Sequence, residues 1–449
     1  EYEVKQAGTY WYHSHSAFQE QTGTYGPLVI DPVDGEPFDY DRDYVVMLSD
    51  WTSDGPHEAF RNLKLGEEYY NYQKRTVWDF LDEVRENGFK PTVSDRVAWG
   101  NMRMSPVDLA AITGAEYTFL MNGRSPDDNW TGLFDKGETV RLRFINSSAM
   151  STFDVRIPGL DMEVVMVDGK AIEPVKVHEF RASVAETYDV LVTPKENRPY
   201  TIFAEIIDRS GYARGTLAPE PGMEAPVPDQ RDRPVRTLED IGMGNMDDMV
   251  FGGSGKMMDM KQGHADPHPD VPGPQEPKPF VPEKNVNVAM VNHNPSFRME
   301  DPGIGLGEDG WDVLTYSDLA SDEPQQYRSE VDREMTVNIT ANMHRFMFSL
   351  DGKKFSEHPG PYLFRHNERL RLWLVNHTMM GHPIHLHGMW MQIENGHEHD
   401  NLPYKHTVYV KPGEKMPVLI TPIEKGDWAF HCHFLYHMDA GMFQVVRVS

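Results

Sequence analysis

The sequence contains a single cysteine, Cys432, in 449 residues. That excludes an intrachain disulfide and leaves the thiol as a core group, a nucleophile or a metal ligand. Basic residues are also scarce: 43 Lys and Arg stand against 70 Asp and Glu, a net charge of −27. This balance argues against nucleic acid or an anionic membrane surface as partner. No apolar run is long enough to span a membrane. The length suffices for two or three domains with cores of their own.

Histidine and methionine are abundant instead, with 20 and 26 copies, and both are clustered. Imidazole and thioether together suit a soft metal better than magnesium or calcium. Short alternating runs dominate the rest, such as TVRLRFIN at 139–146, EMTVNIT at 334–340 and ERLRLWLVN at 368–376. Their period of two predicts half-buried strands, and the close spacing of turns predicts an all-β chain of sandwiches or barrels. One helix is expected over Tyr70–Arg85, where Val77, Phe80, Leu81 and Val84 keep helical spacing.

Self-comparison finds a repeat. GETVRLRFINSSAMSTFDVRI at 137–157 lies without gaps over NERLRLWLVNHTMMGHPIHLH at 367–387, at an offset of 230. Asn146 falls on Asn376, and AETYDVLVTP at 185–194 lies over GEKMPVLITP at 413–422. The copies differ where chemistry is expected. His382, His385 and His387 replace Thr152, Val155 and Ile157, while His431, Cys432 and His433 replace Phe203, Ala204 and Glu205. A scaffold whose twin manages without these residues does not need them for packing. A partial third copy, GTYWYHSHSA at 8–17, lies over GDWAFHCHFL at 426–435 and sets His13 and His15 on His431 and His433. In the second copy an HxxHxH segment precedes HCH by about 45 residues. The matching segment of the partial copy would fall before residue 1, so an upstream portion is expected, and with it a trinuclear site left incomplete in these 449 residues.

As a strand, 431–433 turns both imidazoles to one face, ~6.6 Å apart, and the thiol to the other. His437 and Met442 follow closely on the thiol side, and His382 is the natural second imidazole. One Cys, two His and a weak Met ligand form a blue-copper set. His13/His15 and His385/His387 are likewise two apart, which describes a separate, histidine-only site. A closed zinc site is the metal alternative, but it has no use for an axial Met or so many histidines on one face.

HSH (13–15), HPIHLH (382–387) and HCHFLYHMDAGM (431–442) resemble three of the four copper-binding motifs of the multicopper oxidases. YNYQKRTVWDF, WGNMRMSP and the Met-rich stretch are similar to the copper-resistance branch of that family. The resemblance implies tandem cupredoxin-like Greek-key domains, three in number with the first incomplete. Residues 1–33 would end the first, 38–215 would be a copper-free second with a helical insertion, 216–282 a Pro/Met-rich linker, and 283–449 a third with the type 1 copper. It further implies a type 1 copper on His382, Cys432, His437 and Met442, a type 2 copper on His385, and a binuclear type 3 pair on His13, His15, His387, His431 and His433. Cys432, His431 and His433 would carry electrons from the first site to the others.

The implied activity is oxidation of a reductant by dioxygen, in the periplasm. Cu(I) is the expected substrate, because Met243, Met246, Met249, Met257, Met258 and Met260 sit among Gly and Asp where there is little core to pack. A phenol is the alternative substrate, and copper sequestration the alternative function. Met102 and Met104 are weaker candidates for the same soft-metal role, with core packing as the other reading.

Overall fold

The computed structural model describes residues 4–242 and 284–449. The three alternating runs fall in the strands Val140–Asn146, Arg333–Asn342 and Leu370–Asn376. Two sheets of six strands share one order. In the first it runs Thr118–Met121, Arg42–Trp51, Val140–Asn146, Thr187–Val192, Met162–Val167, Lys170–Val177. In the second it runs Met347–Leu350, Arg333–Asn342, Leu370–Asn376, Lys415–Ile420, Met391–Ile393, Tyr404–Lys405. Each has its parallel pair at the same place, Arg42–Trp51 beside Val140–Asn146 and Arg333–Asn342 beside Leu370–Asn376. The remaining large sheets repeat each other too: Phe153–Arg156 and Tyr200–Ile206 pair as His382–Leu386 and Gly426–Cys432 do. These are cupredoxin-like sandwiches, and the sequence repeat is a repeat of topology.

Asn146 and Asn376 show what the repeat preserves. Asn146 Nδ2 donates to the carbonyls of Ser151 (2.8 Å) and Ala182 (2.9 Å). Asn376 Nδ2 donates to those of Met380 (2.7 Å), Lys411 (2.9 Å) and Val410 (3.1 Å), closing the turn that leads into His382. Asn376→Ala would strand these buried carbonyls and is expected to lower stability by about 1–3 kcal/mol. Denaturant unfolding checks this; an unchanged midpoint would remove the anchoring role.

Two expectations need correction. Val140–Asn146 is buried at every position rather than on one face. Arg141 and Arg143 are 0% and 1% exposed because the outer face is covered: the Phe38 and Tyr40 rings lie over the Arg141 guanidinium, and Arg143 donates to Thr9 Oγ1 (2.9 Å) in a ribbon of two antiparallel strands, Gly8–His13 and Tyr25–Ile30. Arg141 pairs with Asp189 (2.5 Å) and Arg143 with Asp43 (2.7 Å), while Thr9 of the ribbon donates to Asp189 Oδ2 (2.9 Å). Buried charge is tolerated here because each guanidinium has a carboxylate. The ribbon that bears His13 is thereby locked to its neighbour.

The helical expectation over Tyr70–Arg85 also shifts. The helix there, α2, spans Val77–Asn87; α1 is Pro56–Leu65 and α3 is Phe89–Met102. Residues 70–76 stay out of it because Thr76 caps α2, with a reciprocal bond from its own N–H to Asp79. The apolar spacing served α2–α3 contact, with Phe80 and Phe89 rings 6.3 Å apart, and α2 has no buried residue. A fourth helix, the short α4 at Leu435–Asp439, carries His437.

Candidate metal centre

The strand Gly426–Cys432 lies between His382–Leu386 and Phe443–Val448. His385 stands directly opposite His431, and Ile384 opposite Cys432. Alternation therefore turns His385 and His431 to one side of the sheet and Cys432 to the other. His433 N–H donates to the Pro383 carbonyl at 2.6 Å, which extends the register past the strand's end.

On the thiol side, Cys432 Sγ lies 3.6 Å from His382 Nδ1 and 3.9 Å from His437 Nδ1, and those nitrogens are 3.3 Å apart. A triangle with such edges has its centre about 2 Å from each corner, the length of a bond from a first-row metal to imidazole or thiolate. All three residues and Met442 are 0% exposed. Thr378 Oγ1 sits 2.9 Å from His382 Nε2, so Nδ1 is left to face the thiol. The His437 ring stacks on Phe348 at 3.7 Å. Met442 is tied in through its carbonyl, which accepts the Cys432 N–H at 3.1 Å.

Burial drives His382 down to about 3 and His437 well below its usual value, so both imidazoles are neutral donors. The same burial pushes the Cys432 thiol up. A cation is what would make the thiolate favourable there, and its binding would release the proton. The donor set thus fits copper, by residue type and by spacing.

Across the sheet, the nitrogens of His15, His387 and His431 lie within 4.8 Å of one another. His387 Nε2 is 3.2 Å from His431 Nε2, and His13 Nε2 is 3.2 Å from His433 Nε2. His385 lies between these groups, its ring 4.7 Å from that of His387 and 5.6 Å from those of His431 and His433. His385, His431 and His433 are held well below their usual values by burial, and His387 is lowered to about 4. The neutral imidazoles of His387 and His431, facing one another at 3.2 Å, suit a shared cation better than a packed core, and the second donor set also fits copper.

Several contributors escaped sequence reasoning. His385 Nδ1 faces the His406 carbonyl (2.8 Å) and Thr407 Oγ1 (3.0 Å). That segment is fixed by Asp168, which accepts the N–H groups of His406 and Thr407, each at 3.1 Å. Glu20 Oε2 stands 2.6 Å from His13 Nδ1. Tyr436, next to His437, donates to Gln21 Oε1 (3.3 Å), and Gln21 in turn donates to Asp50. None of these sits in a ligand-like spacing, and only proximity to HSH could have singled out Glu20. The six methionines at 243, 246, 249, 257, 258 and 260 lie outside the described residues. Met104 is buried and Met102 packs against the core, in keeping with their packing reading.

Comparison with known proteins agrees with this chemistry. Three family models, each described as multicopper oxidase, match residues 1–35, 42–221 and 328–449. Copper resistance protein A of Escherichia coli is 47% identical across all of this chain and 78% of its own length. Its homolog in Pseudomonas syringae pv. tomato is also 47% identical, with the same coverage of both chains. Among solved structures, Fet3p, a multicopper oxidase that functions in iron import, superposes with a TM-score of 0.61 over 99% of this chain and 72% of its own, at 17% identity. A laccase-like multicopper oxidase from Ochrobactrum sp. gives 0.57 over 100% and 78%, at 15% identity. The two donor sets, the repeated sandwiches and these matches lead to one conclusion: the chain belongs to the multicopper oxidase family, copper-dependent oxidoreductases with type 1, type 2 and type 3 copper that couple oxidation of a reducing substrate to reduction of dioxygen.

Proposed function

We propose that this oxidase acts in copper resistance, in the periplasm, by oxidising Cu(I) to the less harmful Cu(II). The observation that carries this reading is the 47% identity, over the whole chain, to a protein named for copper resistance. The Met-rich sequence 243–260 supports it, because thioether is a ligand chosen by Cu(I). In this reading His382, Cys432, His437 and Met442 hold type 1 copper, His385 holds type 2, and His13, His15, His387, His431 and His433 hold the type 3 pair.

Bound copper supplies one-electron redox chemistry, so four Cu(I) ions and four protons are consumed for each dioxygen reduced to two waters. The protein's own part is geometric. Cys432 faces one donor set while its chain neighbours His431 and His433 face the other, which makes a covalent route between them. Phe348, Phe346 and Phe434 around His437 exclude water from the thiol side.

Deleting residues 243–260 from the full-length protein tests the substrate. Cuprous-oxidase turnover should fall selectively, by about tenfold or more, while phenol oxidation and bound copper are retained. Equal loss on both substrates would point to a general oxidase. Copper binding without turnover on any reductant would point to sequestration.

A further inference from the structure

His13 differs from His385 and His431 in what holds the far side of its ring. His385 Nδ1 faces the His406 carbonyl at 2.8 Å, and His431 Nδ1 faces the Cys432 carbonyl at 3.0 Å. Both partners are neutral. His13 Nδ1 instead faces a carboxylate, Glu20 Oε2, at 2.6 Å, and Glu20 is 2% exposed. Among the described residues, Glu20 Oε1 and His13 Nδ1 are both buried with no other polar partner, so the carboxylate and the ring nitrogen are left to each other. Trp11 stacks on the His13 ring at 4.3 Å and 18°, which holds its face while Glu20 holds its edge.

The opposite edge presents Nε2, 3.2 Å from His433 Nε2. Two imidazole nitrogens so close must share a proton or turn lone pairs to a common cation. With the carboxylate at Nδ1, the ring proton belongs on Nδ1 and the lone pair on Nε2 faces inward. A carboxylate behind a ligating imidazole fixes its tautomer and raises its basicity.

We propose that Glu20 is a positioning residue of the type 3 site: it fixes His13 as the Nδ1–H tautomer and makes it a stronger donor than the other type 3 histidines, so that the two metal positions of the pair are unequal. The proposal rests on His13 being a type 3 ligand. The position served by His13 and His433 is then harder to reduce than the one served by His15, His387 and His431.

The test uses the full-length, copper-loaded protein with Glu20→Gln, Glu20→Ala and His13→Ala. Glu20→Gln is isosteric and retains an acceptor while dropping the charge. The type 1 blue absorption in the same molecule reports whether each variant has folded. Both Glu20 variants are expected to hold the type 3 pair about tenfold more weakly in competition with a chelator. Their pair should also be reduced at a higher potential in a spectroscopic titration, with the type 1 potential unmoved. Glu20→Gln with the affinity and potential of the parent protein would overturn the proposal, whatever Glu20→Ala does. If His13→Ala keeps a complete type 3 pair, the ligand reading itself fails; if it loses the pair while Glu20→Gln does not, only the role of Glu20 fails.

Discussion

Cys432→Ser is expected to abolish the intense blue absorption of the full-length, copper-loaded protein and to lower turnover by more than about 100-fold, beyond the range of losses from outer-sphere changes. Serine matches the thiol in shape but offers a hard oxygen that burial keeps protonated. Cys432 is 0% exposed and sits 3.6 Å and 3.9 Å from the two imidazole nitrogens, so no outside ligand can replace it readily. The histidines across the sheet are untouched by the change. Copper analysis should therefore find the type 2 and type 3 ions still present in a protein that no longer accepts electrons. Retention of both colour and turnover would show that the thiol is not a ligand.

The largest structural effect is expected at Lys405. Its ammonium is 0% exposed and lies 3.1 Å from Asp168 and 3.2 Å from Glu186. Glu186 also accepts from Tyr316 at 2.6 Å. Lys405→Ala leaves two carboxylates buried without their cation and is expected to cost about 3–5 kcal/mol. Because Asp168 holds the N–H groups of His406 and Thr407, and those residues face His385, the proposed type 2 ligand, the type 2 electron paramagnetic resonance signal should change as well. Denaturant unfolding measures the first effect; a midpoint equal to that of the parent protein would sink the prediction. The cluster also has a pH dependence. Burial pushes the Asp168 carboxyl up, but His406, Lys405 and the N–H donors outweigh it and hold the group below its usual value. Its contribution is thus fully present above about pH 4 and is lost as pH falls through the lowered folded value.

How much of this was legible beforehand depended on the kind of signal. The repeated sandwich was legible because strand period and the shared Asn146/Asn376 turn survive in both copies. The two donor clusters were legible because metal chemistry favours fixed spacings, HxH on a strand and Cys followed closely by His. The helix boundary at Thr76 was missed because apolar spacing alone cannot reveal where a cap outcompetes another helical turn. The burial of Arg141 and Arg143 was missed for a tertiary reason: the alternating pattern reads as one wet face unless the covering segments, Phe38 and Tyr40 over one guanidinium and the ribbon at the other, are known. Asp168 and Lys405 act across long sequence separations, where no local pattern exists to be read; Glu20 is close to His13 in sequence, but a lone carboxylate at that spacing marks no site by itself.

The contact between His13 and His433 joins residues 420 positions apart. At about 5–20 residues per second of synthesis, one imidazole waits roughly 20 to 80 s for the other to exist. The proposed type 1 donors are no earlier, since His382, Cys432 and His437 all follow the first sandwich in the chain. Copper captured in that interval could meet only an unfinished pocket, bound to HSH with no partner strand. Neither donor set is therefore complete before the last strands of the chain exist. The order of donors along the chain thus makes completion of the fold, not the first HSH, the earliest point at which a full set of donors can meet a metal.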